Sequence, residues 1–472
     1  MAGFNSIDSS VRERLKAIVG EKHVIFGSPA DLEPYSHDEI PEKCYAHSPE
    51  CVVKPGSAGE VASIMKLACE CSFPVTPRGA GSGLSGGAVP IHGGLVMLFD
   101  RMNRVVDYDK DNMTITVEPG IVTNEINTYI KGDGLFYAGY PMSYESCSIG
   151  GNVAENAGGA KAIKYGVTGR YVTGLEIVTP AGELVSLGGK LVKDVTGYDL
   201  LHLLVGSEGT LAIFTKITLK LLPLPKEQID LIAPFGSVEE AIGAVPRLMT
   251  STGIIPSSIE FMDRLSVETA CSFLGETIPG LGSEAVLLIS VDGADPEELM
   301  KQCEALGECC MESGASDVFV ADSRQKSENL WKVRRDITEA LKARSPHMST
   351  EDIVVPVARI PEAVAGLKAL AEKHDIQIPC FGHAGDGNLH ATPLMNPRWS
   401  SEEWLERLGG ILRDIYDLTK SLGGVISGEH GIGHKRKGYL SMFCTPAHLE
   451  LMRGIKKVFD PQGILNPGKI LE

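Results

Sequence analysis

Between Glu60 and Cys71 the apolar residues Val61, Ile64, Met65 and Ala68 recur at helical spacing, so this stretch reads as a helix with one buried face. The period then shortens to two. Leu95-Val-Met-Leu-Phe99, Val105-Val106 and the alternating Met113-Thr-Ile-Thr-Val117 read as strands. A hairpin is expected from Leu175-Glu-Ile-Val178 and Glu183-Leu-Val-Ser-Leu187, because Thr179-Pro-Ala-Gly182 places proline and glycine where a type I turn takes them. From Leu211 to Leu221 nearly every odd position is apolar, the mark of a half-buried strand, and Pro223 and Pro225 end it. A domain boundary is expected there.

Beyond it, stretches beginning near Leu231, Ala285 and Ile353 share a strand–helix–strand rhythm. The spacing is too irregular for a solenoid and suits a second α+β domain with its own sheet. Glu402 to Leu422 predicts an amphipathic helix with Trp404, Leu405, Leu408, Ile411, Leu412, Ile415 and Leu418 inward, a serine before it and Gly423-Gly424 after it. A further helix and a turn-rich stretch from Phe459 to Gly468 close the sequence.

Composition narrows the function classes. The 472 residues carry 44 basic and 61 acidic side chains, a net charge of −17 with no basic block, which argues against a nucleic-acid groove or an anionic membrane surface as the main partner. No apolar run approaches the ~18 residues of a membrane span. Met1 to Gly20 carries Asp8, Arg12, Glu13, Arg14 and Lys16 with no apolar signal core, so a cytoplasmic location is expected. The 11 cysteines include no C-x-x-C pair and read as reduced, mostly buried thiols. Glycine is the outlier: 53 residues, where about 7% of the chain would be ordinary.

The glycines gather in loops. Pro77, Arg78, Gly79, Ala80, Gly81, Ser82, Gly83 and Leu84 open a glycine-rich stretch that formally contains G-x-G-x-x-G from Gly81 to Gly86. A Rossmann fingerprint opens a helix, whereas here Pro90, Gly93 and Gly94 lead into a strand. Consecutive backbone amides can still cup a pyrophosphate without a helix behind them; an ordinary mobile loop is the bland alternative. Two more clusters follow, Ser148-Ile149-Gly150-Gly151-Asn152 running through Ala154, Asn156 and Gly158 to Gly166, and Gly206-Ser-Glu-Gly209 running to Ile213. Three such loops between short strands suggest backbone lying against one long flat ligand.

Charged and imidazole groups form a second pattern. His383 and His390 stand seven apart around a glycine-rich turn, and Ser427-Gly-Glu-His-Gly-Ile-Gly433 supplies Glu429 and His430. Two histidines and a carboxylate suit Zn, Fe or Mn, although such a pair can equally be a hydrogen-bonded structural feature. Leu330 to Ala340 reads as a helix in which Arg334 and Thr338, at i and i+4, share a face and can converge on a small anion; a solvated charged face is the alternative. His434 reads as a surface histidine or one behind the site.

The order of Pro77-Arg-Gly-x-Gly-x-Gly, Ser148-Ile-Gly-Gly-Asn with Asn156-Ala-Gly-Gly159, and Gly206-Ser-Glu-Gly209 resembles the FAD domain of the vanillyl-alcohol oxidase type. From about Val52 to Lys469 the chain is similar to FAD-linked D-2-hydroxyacid dehydrogenases, the branch of D-lactate dehydrogenase, glycolate oxidase large subunit and D-2-hydroxyglutarate dehydrogenase. The resemblance implies an α+β fold: a helical lead-in over 1–45, a two-part FAD-binding domain over 46–225, a substrate (cap) domain over 226–410 and a C-terminal helical segment over 411–472. It implies FAD along the three glycine loops and the stretch at Pro141 and Met142, held noncovalently because the first loop lacks the histidine by which some relatives attach flavin.

It further implies a divalent metal on His383, His390 and Glu429, His430 as general base, and Arg334 and Thr338 on the substrate carboxylate. The activity implied is oxidation of a small D-2-hydroxy acid such as D-lactate, with electrons passed to electron-transferring flavoprotein or an iron–sulfur subunit. The hydroxyglutarate enzymes carry a lysine shortly before the strand equivalent to Asp352-Ile-Val-Val-Pro356, and this chain reads Met348-Ser-Thr-Glu351 there, which weakens the case for a large dicarboxylate. A non-redox flavin synthase similar to the alkylglycerone-phosphate synthases, and a flavin-binding subunit without catalysis, are the rival readings.

Overall fold

The computed structural model describes residues 3–471. Two compact units emerge. The first combines the chain up to Gly158, Val167–Leu224 and everything from Glu429 onward; the second comprises Gly159–Gly166 and Pro225–Gly428.

In the first unit, a four-stranded sheet runs in the order Val24–Ile25, Cys51–Val53, Leu95–Leu98, Val75–Arg78. Cys51–Val53 and Val75–Arg78 both pair parallel to Leu95–Leu98. The helix Ala58–Cys71, capped by Ser57, makes the crossover and buries Val61, Ile64, Met65, Leu67 and Ala68. These pack with Leu15, Phe73, Val75 and Met97 into the sheet's core. Ser9–Val19 supplies the expected lead-in helix, and its Val11, Leu15 and Val19 enter the same core.

A second sheet of this unit is antiparallel throughout, ordered Val105–Asp109, Thr114–Val117, Ile213–Lys220, Val172–Val178, Leu184–Gly188. The hairpin forms as expected, with Leu175 opposite Leu187 and Ile177 opposite Val185. Its turn is closed by the Gly182 amide donating to Thr179 O at 2.8 Å, with Gly182 at φ +78°.

In the second unit, seven antiparallel strands form one sheet: Phe319–Val320, Glu227–Phe235, Ala285–Gly293, Ser258–Asp263, Cys380–His383, Asn388–Ala391, Glu351–Val354. The three anticipated repeats are its skeleton, each a strand joined through a helix to a second strand two places away in the sheet, with another strand between them: Val238–Thr250, Pro296–Glu312 and Ile360–His374 are the helices. Ser401–Ser421 is one helix, capped by Ser400 and burying Trp404, Leu408, Ile411, Leu412 and Ile415. Each large apolar side chain so buried contributes about 1.5–3 kcal/mol. Leu405, expected inward, is 49% exposed. The helix also runs unbroken across the 410/411 boundary expected from sequence, and the chain returns to the first unit only at Glu429. Seven of the 11 cysteines are buried, and all 11 are free thiols.

Candidate functional site

The first unit gathers the three glycine loops. Pro77 and Arg78 end the sheet's edge strand, and Gly79 to Leu84 leave it as a loop. The Arg78 side chain is buried and donates to the carbonyls of His37 at 2.7 Å, Pro34 at 3.3 Å and Ala88 at 3.4 Å. It therefore shapes the loop from behind. Gly81 stands at φ +76° against this guanidinium. Ser148 Oγ accepts from the Ala80 amide at 3.2 Å, tying the second loop to the first. Among the described residues, the amides of Gly81, Ser82, Gly83 and Leu84 donate to no protein group. An added Cβ at Gly83 or Gly151 would meet no atom closer than 3.9 or 3.7 Å. Unmatched consecutive amides beside open space fit the phosphates and flat rings of a dinucleotide such as FAD.

The remaining sequence-predicted contacts divide by burial. Pro141 and Met142 are half-buried, as are Gly150, Ala154 and Asn156, the last left-handed at φ +53° with its Oδ1 accepting from the Gly169 amide. Ile149 and Ile213 are buried, Ile213 within the apolar core of the first sheet, so their side chains turn away from solvent. Asn152 turns inward to Thr123 Oγ1 at 2.6 Å. Gly209, at φ +64°, backs onto Pro77. A Cβ at Gly158 would touch Glu429 at 3.4 Å. Gly166, at φ +81°, belongs to the second unit and caps the short helix Ala162–Tyr165.

Glu429 and His430 open the segment that returns to the first unit, with 3.9 Å between their facing atoms. The next turn is anchored by Glu208, whose carboxylate accepts from the amides of Ile432 at 2.8 Å and Gly433 at 2.6 Å. Burial pushes Glu208 up to about 6, with these two amides and Arg436 opposing the rise. Glu155 accepts from Ser85 Oγ at 3.0 Å. Burial first, and then the charge of Glu208, hold it well above the carboxylate range. Arg436, fully buried, donates to Leu84 O and Gly431 O and joins the first glycine loop to this segment. His434 packs edge to face on Tyr45 and His47; burial and the nearby Lys437 and Lys469 pull it down to about 4, so it is neutral at physiological pH.

In the second unit, His383 and His390 sit on the neighbouring strands Cys380–His383 and Asn388–Ala391, their rings edge to face with centroids 5.5 Å apart. Both are buried. His383 Nδ1 meets Glu260 Oε1 at 2.8 Å and Oε2 at 3.0 Å. Arg334 turns its Nε and Nη2 to the same Glu260 Oε2, each at 2.6 Å, and stacks 5.2 Å above the Phe381 ring. Burial alone would raise Glu260, but the charges of Arg334 and His383 outweigh it and hold the carboxyl below its ordinary value. The helix expected through Leu330–Ala340 breaks at Asp336, although the hydrogen bonds Asp336 to Lys332 and Ala340 to Asp336 span the break. Thr338 lies half-buried one turn after Arg334.

Asp352 presents a ligand atom within 4.8 Å of one on His390. Its carboxylate accepts from Asn388 Nδ2 at 2.7 Å, Ser427 Oγ at 2.6 Å and the Gly428 amide at 2.9 Å. Gly428 is joined directly to Glu429, so Asp352 fixes the point from which that residue departs. Two buried imidazoles, one backed by a carboxylate on Nδ1 so that Nε2 is the donor left for a ligand, fit Zn, Fe or Mn. Glu260, Asp352, Glu155, Glu208 and Arg436 escaped the sequence reading. The signal for Glu260 was present: a carboxylate in the middle of the largely apolar strand Ser258–Asp263 needs a buried partner.

The family described as FAD linked oxidases, C-terminal domain, matches residues 224–470, and the FAD binding domain family matches residues 49–188. The chain is 39% identical to a D-lactate dehydrogenase of Anaerostipes hadrus, over 99% of this chain and 98% of the relative. It is 38% identical to the glycolate oxidase subunit GlcD of Bacillus subtilis, over 98% and 97% of the two. Among solved structures, substrate-bound p-cresol methylhydroxylase superposes with a TM-score of 0.79 at 17% identity, covering 97% of this chain and 96% of that one, a likeness of fold. The chain belongs to the FAD-linked oxidases, with the α+β architecture of the vanillyl-alcohol oxidase type.

Proposed function

We propose that this flavoprotein oxidises a small D-2-hydroxy acid, D-lactate first among them, to the 2-keto acid. The observation that carries this reading is the buried Arg334–Glu260–His383 cluster, which places a carboxylate-recognising cation and a carboxylate-backed imidazole on one small polar island inside an apolar sheet. The D-lactate dehydrogenase and glycolate oxidase names of full-length relatives support it.

In this reading Arg334 and Thr338 hold the substrate carboxylate. Arg334 donates its Nε to Glu260 Oε2, and Nη2 lies beside the same oxygen without a hydrogen bond, so the Nη1–Nη2 end is the one offered to substrate. His430 takes the hydroxyl proton as general base, a role that needs it neutral before the reaction. Bound FAD supplies a two-electron acceptor for the C2 hydride. His383, His390 and Glu429 would hold a divalent ion, whose Lewis acidity favours the ionised hydroxyl. Gly79 to Leu84, Ser148 to Gly158 and Gly206 to Ile213 would hold the flavin. The electrons leave to a separate protein, an electron-transferring flavoprotein or an iron–sulfur subunit.

The test is anaerobic addition of D-lactate to the yellow protein. Loss of the oxidised flavin's visible absorbance with formation of pyruvate supports the reading; absence of bleaching by D-lactate, glycolate and D-2-hydroxyglutarate alike overturns it. Glycolate is the second choice, favoured by the GlcD relative.

A further inference from the structure

Glu260 takes up both halves of the second unit's polar cluster. Its side chain is 0% exposed, and its two oxygens meet His383 Nδ1 and the Nε–Nη2 edge of Arg334. It projects from Ser258–Asp263, a strand flanked on both sides in the sheet, opposite His383 in register. A carboxylate in so dry a place is tolerated only because two partners meet it there.

We propose that Glu260 is a positioning residue that sets the imidazole and the guanidinium for their tasks together; this rests on the metal and substrate roles proposed above. On the imidazole side, a carboxylate at Nδ1 keeps the proton on that nitrogen, leaves the Nε2 lone pair as the metal donor and makes it more basic. On the guanidinium side, the Nε hydrogen bond and the ion pair with Oε2 fix the fork in one rotamer and leave the Nη1–Nη2 end for an anion. One carboxylate thus determines both where a metal ligand points and which donor of Arg334 a substrate carboxylate meets. A change at Glu260 moves both functions at once, although Glu260 itself touches neither metal nor substrate.

The experiment compares wild type with Glu260→Gln as FAD-loaded full-length proteins. Affinity for Mn²⁺ or Zn²⁺ alone is read by chelator competition, KM and kcat with D-lactate are read separately, and FAD content and near-UV circular dichroism report integrity. The amide removes the negative charge and cannot accept from both partners as before. The expected result is divalent-ion affinity lower by about 10–100-fold, with KM for D-lactate raised in parallel and FAD content unchanged. Metal affinity and KM both within twofold of wild type overturn the inference while leaving the proposed activity standing. A wild-type protein that binds no divalent ion overturns the metal role and this inference together, whereas one that binds the ion but is bleached by no 2-hydroxy acid overturns the activity, and metal affinity then decides on Glu260. Should Glu260→Gln fail to fold, Glu260→Asp provides the comparison: it keeps the charge but withdraws it by one methylene, and an intermediate loss of metal affinity is expected, wild-type affinity again overturning the proposal.

Discussion

Glu260 and Arg334 meet as an ion pair inside the second unit, Arg334 Nε donating to Oε2, with their side chains 0% and 4% exposed. Such a pair adds little net stability over an apolar replacement, but removing one partner leaves the other charged and dry. Arg334→Met should therefore cost about 3–5 kcal/mol of unfolding free energy, and Glu260→Gln combined with Arg334→Met should recover a large part of it. Urea unfolding of the two single variants and the double variant measures the coupling. Additive costs would show that the two side chains act independently.

Arg436 is among the largest fully buried side chains, and its Nη1 donates to Leu84 O at 3.1 Å and Gly431 O at 3.2 Å. One guanidinium thus spans the first glycine loop and the segment after His430. Both bonds leave one nitrogen, but an ammonium is more strongly hydrated than a guanidinium and is the costlier cation to keep fully buried there. Arg436→Lys should lower stability by about 1–3 kcal/mol and weaken FAD retention at least several-fold. FAD released on gel filtration, compared with the thermal midpoint, checks both.

Much of the fold could be read in advance where one face is wet and the other dry. The hairpin around Thr179–Gly182 and the three strand–helix–strand repeats follow from local period and turn chemistry. Strand order in the seven-stranded sheet does not, because Ala285–Gly293 is buried on both faces and carries no alternation to specify a neighbour. Leu405 fitted the apolar stripe of its helix yet lies outside it, since a stripe marks a direction and not the width of what covers it. At the site, His383, His390 and Arg334 were legible as chemistry-bearing types, and the structure brings them together. Arg436 was hidden in His434-Lys-Arg-Lys437, which looks like a solvated basic run until its carbonyl partners are known. Arg334 reads as a ligand for a small anion, and the internal carboxylate it also meets, Glu260, lies 74 residues away in sequence.

Two glycine-to-alanine changes should move stability in opposite directions. At Gly81, φ is +76° and the new Cβ would fall 2.2 Å from Arg78 Nη2, so Gly81→Ala must strain the backbone and displace the guanidinium from the carbonyls behind the loop. A loss of about 1–3 kcal/mol is expected, together with weaker FAD binding measured by flavin fluorescence titration. At Gly243, exposed within the helix Val238–Thr250, a Cβ would meet nothing within 4 Å. Gly243→Ala should stabilise by about 0.5–1 kcal/mol and leave FAD binding unchanged.

The buried carboxylates Glu155 and Glu208 predict a pH-dependent stability whose sign follows from their raised values. A Cβ on Gly431 would lie 2.0 Å from Glu155 Oε2 and 3.1 Å from Glu208 Oε1, so both acids crowd the residue next to His430. Ser85 and Arg436 also act on Glu155, as does the charge of Asp38. Each acid keeps its proton in the folded state to a higher pH than in the unfolded chain, which makes the folded state the greater proton binder above the ordinary glutamate range. Stability from this source is complete below that range and is lost as pH rises toward the folded values, at up to about 1.4 kcal/mol per pH unit for each proton. Lys469 works in the opposite sense: burial pulls it down to about 7, so its contribution increases as pH rises above that value. Because both effects overlap in the wild type, the informative quantity is a difference. Glu155→Gln replaces a protonated carboxyl with a neutral group of the same shape, so its stability relative to wild type should be near zero at pH 4.5 and should rise by up to about 1.6 kcal/mol by pH 6, the most that one proton allows over that interval. Urea unfolding of the two proteins at half-unit steps of pH gives that curve, and a difference that stays flat from pH 4.5 to 7 would mean that Glu155 ionises in the folded protein as readily as it does in the unfolded chain.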